Sequence, residues 1–395
     1  WHPSLFSDRF RNRAMMLVSI LVSMLCTIME QLILLLNILR NVIRILTDPK
    51  MGARISLKSF GIDFVGMLVQ EGLTNPGTTC EQVAEECLGK GNFGVLRGKV
   101  AIITGASGGL GLEHARVLLK YGCHVVFAVR STEKAEVLLH GLRAREELSG
   151  PATILRVDLD DLSTIQPFVQ EFLALGLPLN YLVNNAGVMT PTEFRGSKQG
   201  YETQFATNHL AHFLLTELLM PKLRETRKLE GDAADVRIIT LSSVGSTLCR
   251  NFDMDRFLPP AREMYNGTAE YGMSKALNLF HSRELQRRCA EDGILCCAVH
   301  PGVIKTGLTR EANMDSTMLY EFFIFKLMHK DVPQGAATQM YCTLSTQVPT
   351  EIASGTCFWY NSGPQQAVGV AAPGVRDDLC SKLWEISEAL VEPYR

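Results

Sequence analysis

Tyr271 and Lys275 stand four residues apart in the stretch Tyr271-Gly272-Met273-Ser274-Lys275. On a helix that spacing puts both on one face, with Cβ atoms about 5–6 Å apart. A free phenol titrates near about 10 and cannot act as a base at neutral pH unaided. A neighbouring ammonium favours the phenolate and lowers that value. Such a pair could pass a proton to or from a substrate oxygen. One Tyr-x-x-x-Lys can arise by chance, so its meaning depends on the elements that would position it.

The first such element lies upstream. Val100-Ala101-Ile102-Ile103 reads as a short buried strand, followed by Thr104-Gly105-Ala106-Ser107-Gly108-Gly109-Leu110-Gly111 and a helical pattern through Lys120. Strand, glycine-rich turn and helix let backbone N–H groups and a helix N-terminus meet a pyrophosphate. The spacing is Gly-x-x-x-Gly-x-Gly, and a glycine turn without a ligand is the alternative. A second strand, His124–Val129, ends at Arg130, and no Asp or Glu lies between Lys120 and Arg130. An acid there would hold a ribose 2′-hydroxyl, whereas an arginine suits a 2′-phosphate. This favours NADP(H) over NAD(H), unless Arg130 is merely a solvated loop residue.

The β/α rhythm continues through Ala152–Val157, Leu179–Val183, Val236–Leu241, Ile294–Val299 and Gly355–Tyr360. Helices fit between them, which predicts an α/β fold of the Rossmann type: a doubly wound parallel sheet with ligands at the carboxyl ends of the strands. The polar motifs Asp158, Asn184-Asn185-Ala186-Gly187, Ser242-Ser243 and His300-Pro301-Gly302 all fall at that edge.

Net charge is -2, with 46% hydrophobic and 20% charged residues, so neither disorder nor a nucleic-acid surface is indicated. The 11 cysteines are scattered. Cys123, Cys296, Cys297 and Cys357 sit in apolar runs and suit a reducing compartment. Cys80 and Cys87 could meet on one helix face as a redox pair or metal half-site, or be two thiols on a linker helix. The sequence begins at Trp1, so a targeting signal upstream would not be visible.

Residues 14–39 are overwhelmingly apolar, with Glu30 their only charge. Ser19, Ser23, Thr27, Glu30, Asn37, Asn41 and Arg44 share one sector at 100° per residue. This suits a membrane helix with a polar stripe or an interfacial helix; a soluble packed helix is the alternative. The expected organisation is a membrane-associating region over 1–50, a linker with short helices over 51–97 (one at Thr78–Leu88 capped by Thr79 or Thr78), and a single catalytic domain over 98–395.

Taken together, Thr104–Gly111, Asn184–Gly187, Ser243, Tyr271/Lys275 and Pro301-Gly302 resemble the short-chain dehydrogenase/reductase family, over about residues 95–392. Within it the chain is similar to the retinol dehydrogenase and WW-domain oxidoreductase group, and to the dehydrogenase associated with the chloroplast translocon. Gly176–Leu179, Phe205–Leu210, Tyr271–Leu279, His300–Thr306 and Val332–Ala337 bear that similarity. The resemblance implies that Tyr271 is the general acid/base and that Lys275 binds the nicotinamide ribose and lowers the tyrosine pKa. It implies that Ser243 hydrogen-bonds the substrate oxygen and that Asn208 helps hold a water relaying protons to Lys275. It further implies that Gly105, Ser107, Gly109, Leu110 and Gly111 contact the pyrophosphate side. Asp158 would meet the adenine, Asn185 the ribose region, and Val303 and Thr306 the carboxamide.

Two further stretches bear on substrate. Ser243 to Tyr271 spans 28 residues (271 minus 243), longer than in compact members, which suggests a loop beside the pocket. Met314–Met328 is strongly apolar and would cover a lipophilic substrate or meet a membrane, or else be a buried helix. His209 and His212, at i and i+3, invite a metal reading, but no third ligand is evident. The expectation is a membrane-associated NADP(H)-dependent oxidoreductase, in an endoplasmic-reticulum or plastid membrane, acting on a retinoid-, steroid- or lipid-like carbonyl or alcohol. A homodimer is compatible with it, and nucleic acid and metal are not expected. The alternative is a redox-sensing NADPH-binding subunit of a membrane complex.

Overall fold

The computed structural model describes residues 78–189, 193–231, 235–243, 246, 265–304, 329–353, 355–360, 363–365 and 377–395. A single sheet organises them, built from β1 (Val100–Thr104), β2 (His124–Val129), β3 (Ala152–Arg156), β4 (Tyr181–Asn184), β5 (Arg237–Leu241) and β6 (Leu295–His300). A two-residue pair, β7 (Val303–Ile304) with β8 (His329–Lys330), stands apart; β9 (Phe358–Tyr360) and β10 (Gly363–Gln365) complete the main sheet. The strand order is β10-β9-β6-β5-β4-β1-β2-β3. Every pairing is parallel except β10 on β9. The order reverses between β1 and β4, which opens a crevice at the strands' carboxyl ends.

Both faces of this sheet are covered, so its strands read as continuous apolar runs. The period of two still sorts them. Val100 and Ile102 join a core containing Phe168, Phe213 and Phe280; Ala101 and Ile103 join another containing Val117, Leu118, Met340 and Trp359. The first face carries α4 (Ile165–Ala174), α5 (Ala211–Glu230), α6 (Gly267–Cys289) and α10 (Asp377–Val391). The second carries α1 (Cys80–Leu88), α2 (Gly109–Lys120), α3 (Thr132–Arg143) and α8 (Ala337–Leu344), with the short α7 (Val332–Gly335) and α9 (Val348–Ala353) beside them.

Helix α1 matches the expected Thr78–Leu88 segment. Thr79 caps it through a reciprocal box, its hydroxyl accepting from Gln82 N at 3.2 Å while Gln82 Oε1 accepts from Thr79 N at 2.8 Å. Cys80, Val83 and Ala84 are buried in the second core. The cysteines of the described residues are all free thiols. Cys123, Cys296 and Cys297 are buried, as small hydrophobes would be; Cys357 is half-buried.

The strand boundaries differ from expectation in instructive ways. Leu179 is buried, yet its N–H donates to Thr226 Oγ1 at 2.9 Å instead of joining the ladder. The last parallel strand begins at Phe358, not Gly355, because Gly355 and Thr356 N–H groups still close the preceding helix onto Ile352 and Glu351. Antiparallel β10 was not anticipated; its Gly363-Pro364 start suits only a sheet edge. The apolar run at 14–39, most of the 243–271 interval, Met314–Met328 and Thr306 lie outside the described residues. Among the described residues no helix is long and apolar enough to cross a membrane.

Candidate active site

Each described candidate residue falls near the strands' carboxyl edge. Gly105 follows β1, Arg130 follows β2, Asp158 follows β3, Asn185 follows β4, Ser243 follows β5 and Val303 follows β6. Asn208 lies in a helical segment leading into α5, and Tyr271 and Lys275 lie in the second and third turns of α6.

The glycine loop has the form of an anion cradle. Gly105 and Gly109 have φ of 66° and 53°, a region that penalises a Cβ. At Gly111 a Cβ would stand 2.5 Å from Asn185 Nδ2 and 2.8 Å from the Gly105 carbonyl oxygen. The loop can close against the β4 turn only with hydrogen at that position. Gly108, at the N-cap of α2, offers no side-chain cap, and the first turn has no acidic residue. Its N–H groups therefore suit a phosphate. Ser107 is half-buried beside them. Leu110 is fixed from the other side: its carbonyl accepts from Gln339 Nε2 at 3.3 Å, and its side chain abuts Gly335. These residues fit a dinucleotide's pyrophosphate.

Arg130, Ser131 and Lys134 follow the carboxyl end of β2. Arg130 is exposed just past β2. Ser131 caps α3 by accepting from Lys134 N at 3.2 Å. Lys134 Nζ lies beside the glycine loop, 3.9 Å from the place a Cβ on Gly108 would take. Lys134 was not singled out from the sequence; its position three residues beyond a capping serine was the available signal. Asp158 is anchored by backbone bonds, its N–H donating to Thr164 Oγ1 at 3.0 Å, and its Oδ1 accepts from Asp160 N at 3.2 Å.

A second cluster of candidate residues centres on Lys275. Its side chain is buried, and Nζ donates to the Leu241 carbonyl at 3.0 Å. The same carbonyl accepts from Asn278 Nδ2 at 3.0 Å. Ser242 Oγ donates to the Lys275 carbonyl at 2.6 Å, locking the helix to the end of β5. Lys275 Nζ stands 5.8 Å from the centre of the Tyr271 ring, which is 9% exposed. The expected one-face geometry is thus observed. Burial pulls the Lys275 ammonium down to about 8. It remains mostly charged at neutral pH, in a setting of low polarity where its field on the phenol is strong.

Asn208 sits in a π turn, Ala206–Leu210, in which Ala211 N–H bonds back five residues to the Ala206 carbonyl. Its side-chain amide is fully engaged. Oδ1 accepts from Val188 N at 2.8 Å, while Nδ2 reaches the Val188 carbonyl at 3.0 Å and Ser274 Oγ at 2.9 Å. The side chain therefore ties α6 to the β4 turn, and the Asn208 backbone carbonyl lies 3.0 Å from His212 Nδ1. Gly187 completes the contact: a Cβ there would lie 3.1 Å from Asn208 Oδ1 and 3.4 Å from Lys275 Nζ. Ser243 is half-buried at the end of β5, its carbonyl accepting from Ser246 N at 3.0 Å.

His209 and His212 do not converge. His209 Nε2 meets Ser387 Oγ of α10 at 2.8 Å, whereas His212 faces Thr104 and the Asn208 carbonyl. Among the described residues no three His, Cys, Asp or Glu side chains are grouped to hold a metal ion.

A family model for short chain dehydrogenases matches residues 99–252. The chloroplastic short-chain dehydrogenase TIC 32 A of Brassica napus is 38% identical over 304 residues, covering 74% of this chain and 88% of its own. The chain belongs to the short-chain dehydrogenase/reductase family. Retinol dehydrogenase 11 of Mus musculus is 34% identical, covering 74% of this chain and 86% of its own. A crystal structure of an uncharacterised protein from Mycobacterium paratuberculosis superposes with a TM-score of 0.56 at 25% identity, covering 76% of this chain and 96% of that one. Membership makes the chain an oxidoreductase of the dehydrogenase/reductase type that uses a nicotinamide cofactor.

Proposed function

We propose that this short-chain dehydrogenase/reductase is NADP(H)-linked and moves a hydride between nicotinamide and a carbonyl or alcohol of a lipophilic substrate. The observation behind it is the buried Lys275, fixed by Leu241 and 5.8 Å from the Tyr271 ring, at the same sheet edge as the glycine cradle. The preference for a 2′-phosphate is supported by Arg130 just past β2, by Lys134 beside the loop and by the lack of an acid at the end of β2. A lipophilic substrate is supported by the apolar Met314–Met328 segment and by the similarity to a retinol dehydrogenase. Membrane association is supported by the apolar run at 14–39.

The nicotinamide, when bound, supplies or accepts the hydride. Tyr271 donates its phenolic proton to the carbonyl oxygen during reduction, or takes the alcohol proton during oxidation. Lys275 stabilises the resulting phenolate through its charge. Ser243 orients the substrate oxygen and donates to its developing negative charge. Asn208, with its amide consumed, offers its backbone carbonyl to a water that returns the proton toward Lys275. Acid–base transfer of this kind contributes about 10²–10⁴-fold.

The test is oxidation of NADPH and of NADH with a panel of retinals and hydrophobic aldehydes. We expect turnover with NADPH, lost by at least about 10²-fold in Tyr271→Phe with NADPH binding retained. Undiminished turnover in that variant refutes the acid/base role. Binding without turnover in the wild type, together with NADPH-sensitive association with membrane proteins, favours a redox-sensing subunit instead.

A further inference from the structure

His212 stands four residues beyond Asn208 and is 1% exposed. Its Nδ1 lies 3.0 Å from the Asn208 carbonyl oxygen and its Nε2 lies 2.9 Å from Thr104 Oγ1. The surrounding bonds fix which nitrogen bears the proton. Thr104 Oγ1 already accepts from the N–H groups of Asn185 and Ala186, each at 2.9 Å. Its own proton has two takers, the Val183 carbonyl at 3.4 Å and His212 Nε2 at 2.9 Å. The shorter bond makes Nε2 an acceptor, so Nδ1–H donates to Asn208. Burial holds the imidazole neutral, near about 4, and this tautomer persists at neutral pH.

The two ends of this link belong to different parts of the site. Thr104 ends β1, just before the glycine loop, and its carbonyl accepts from Asn185 Nδ2 at 2.7 Å. That same Nδ2 is the atom against which Gly111 packs. Asn208 occupies the π turn, where the widened backbone takes carbonyls out of α-helical register and an imidazole N–H supplies a donor. Asn208 in turn borders Gly187 and Lys275.

We propose that His212 is a positioning residue that couples the cofactor loop to the proton-transfer end of the site, holding Thr104 through Nε2 and the Asn208 carbonyl through Nδ1–H. The coupling rests on the reading of this site as an NADP(H) oxidoreductase centre. It differs from a plain packing role because its two arms separate. An asparagine amide reaches about as far as Nδ1 and keeps the Asn208 arm. A glutamine amide reaches about as far as Nε2 and keeps the Thr104 arm. Phenylalanine keeps the shape and neither arm.

The experiment compares His212→Asn, His212→Gln and His212→Phe in two measurements, NADPH affinity by fluorescence titration and kcat at saturating NADPH. Affinity should fall about tenfold in the Asn and Phe variants and stay within about threefold of wild type in the Gln variant, the cost of one lost buried hydrogen bond. The kcat should fall about tenfold in the Gln and Phe variants and be largely retained in the Asn variant. A residue that only fills space would shift both readouts together in all three, and that result overturns the coupling. So does a Phe variant that matches wild type in both, or an imidazole ¹⁵N spectrum showing the proton on Nε2. If the wild type turns over no carbonyl, the functional reading fails, while the affinity pattern and the imidazole spectrum still decide the role of His212.

Discussion

Lys275→Met should stabilise the cofactor-free protein while abolishing its activity. The Lys275 ammonium is buried and held near about 8, against 10.5 for an unhindered lysine, with desolvation the only cause. That depression corresponds to about 3 kcal/mol of strain in the charged native state at neutral pH, an upper figure. Methionine has a similar length and no charge to bury. The partner left behind is not orphaned, because the Leu241 carbonyl keeps its 3.0 Å bond from Asn278 Nδ2. For a base with a depressed native pKa, stability is present above the unfolded value and is lost as pH falls through the native one. The wild type thus loses stability between 10.5 and about 8, and the variant does not. Its advantage should be full at pH 7.5, equivalent to roughly 5 °C in Tm, and should shrink toward pH 10. Thermal unfolding at several pH values, with turnover measured in parallel, checks this. A variant that melts lower than wild type at pH 7.5, or whose advantage is independent of pH, contradicts the account of Lys275 as a desolvated charge kept for function.

Three other outcomes follow from the geometry. Gly111→Ala places a Cβ 2.5 Å from Asn185 Nδ2 and 2.8 Å from the Gly105 carbonyl, so the loop must move; NADPH affinity should fall about 10–100-fold, and an unchanged titration curve would show that the loop yields freely. Acidification should destabilise the fold, because burial holds His114, His212 and His281 near about 3, 4 and 3, neutral in the native state, while the unfolded chain protonates near 6.5. Each removes about 1.3 kcal/mol between pH 7.5 and 5.5, opposed by Glu202 and Glu217, whose carboxyls burial pushes up. The unfolding free energy should therefore drop across that interval, less steeply in His281→Phe, and a flat profile would contradict it. Trp384→Ala removes the ring that packs on Phe213 at 5.0 Å and His281 at 5.7 Å and lies under Arg288 at 4.2 Å; urea unfolding should show a loss of about 3–5 kcal/mol, and a loss below about 1 kcal/mol would mean that α10 is not anchored there.

Much of the sheet was legible because buried parallel strands announce themselves as short β-branched runs between helical patterns. His124–Val129 and the span of α2 to Lys120 emerged with the expected ends. Strand starts at Leu179 and Gly355 did not, since side-chain and helix-end hydrogen bonds took the backbone groups a ladder would have used. Helix α10 shows the same limit. Its amphipathic pattern is local, but its seat against His209, Phe213 and His281 depends on residues far away in the chain.

For the site, residue type and spacing pointed to a proton-transfer pair and a phosphate loop, and the resemblance to the family supplied the roles of the other residues. Tyr271 and Lys275 share a helix face by the geometry of 3.6 residues per turn, and the clustered glycines after a strand mark a tight turn. Those are properties of short stretches, and no tertiary information is needed to read them. What tertiary structure alone decided was the electrostatic state and the wiring. Burial by remote segments sets Lys275 near about 8, the β4 turn occupies the Asn208 amide, and His212 bridges Thr104 to Asn208 instead of turning toward a metal with His209. Desolvation and hydrogen-bond saturation depend on which groups from distant parts of the chain close around a side chain, and sequence spacing does not encode that neighbourhood locally.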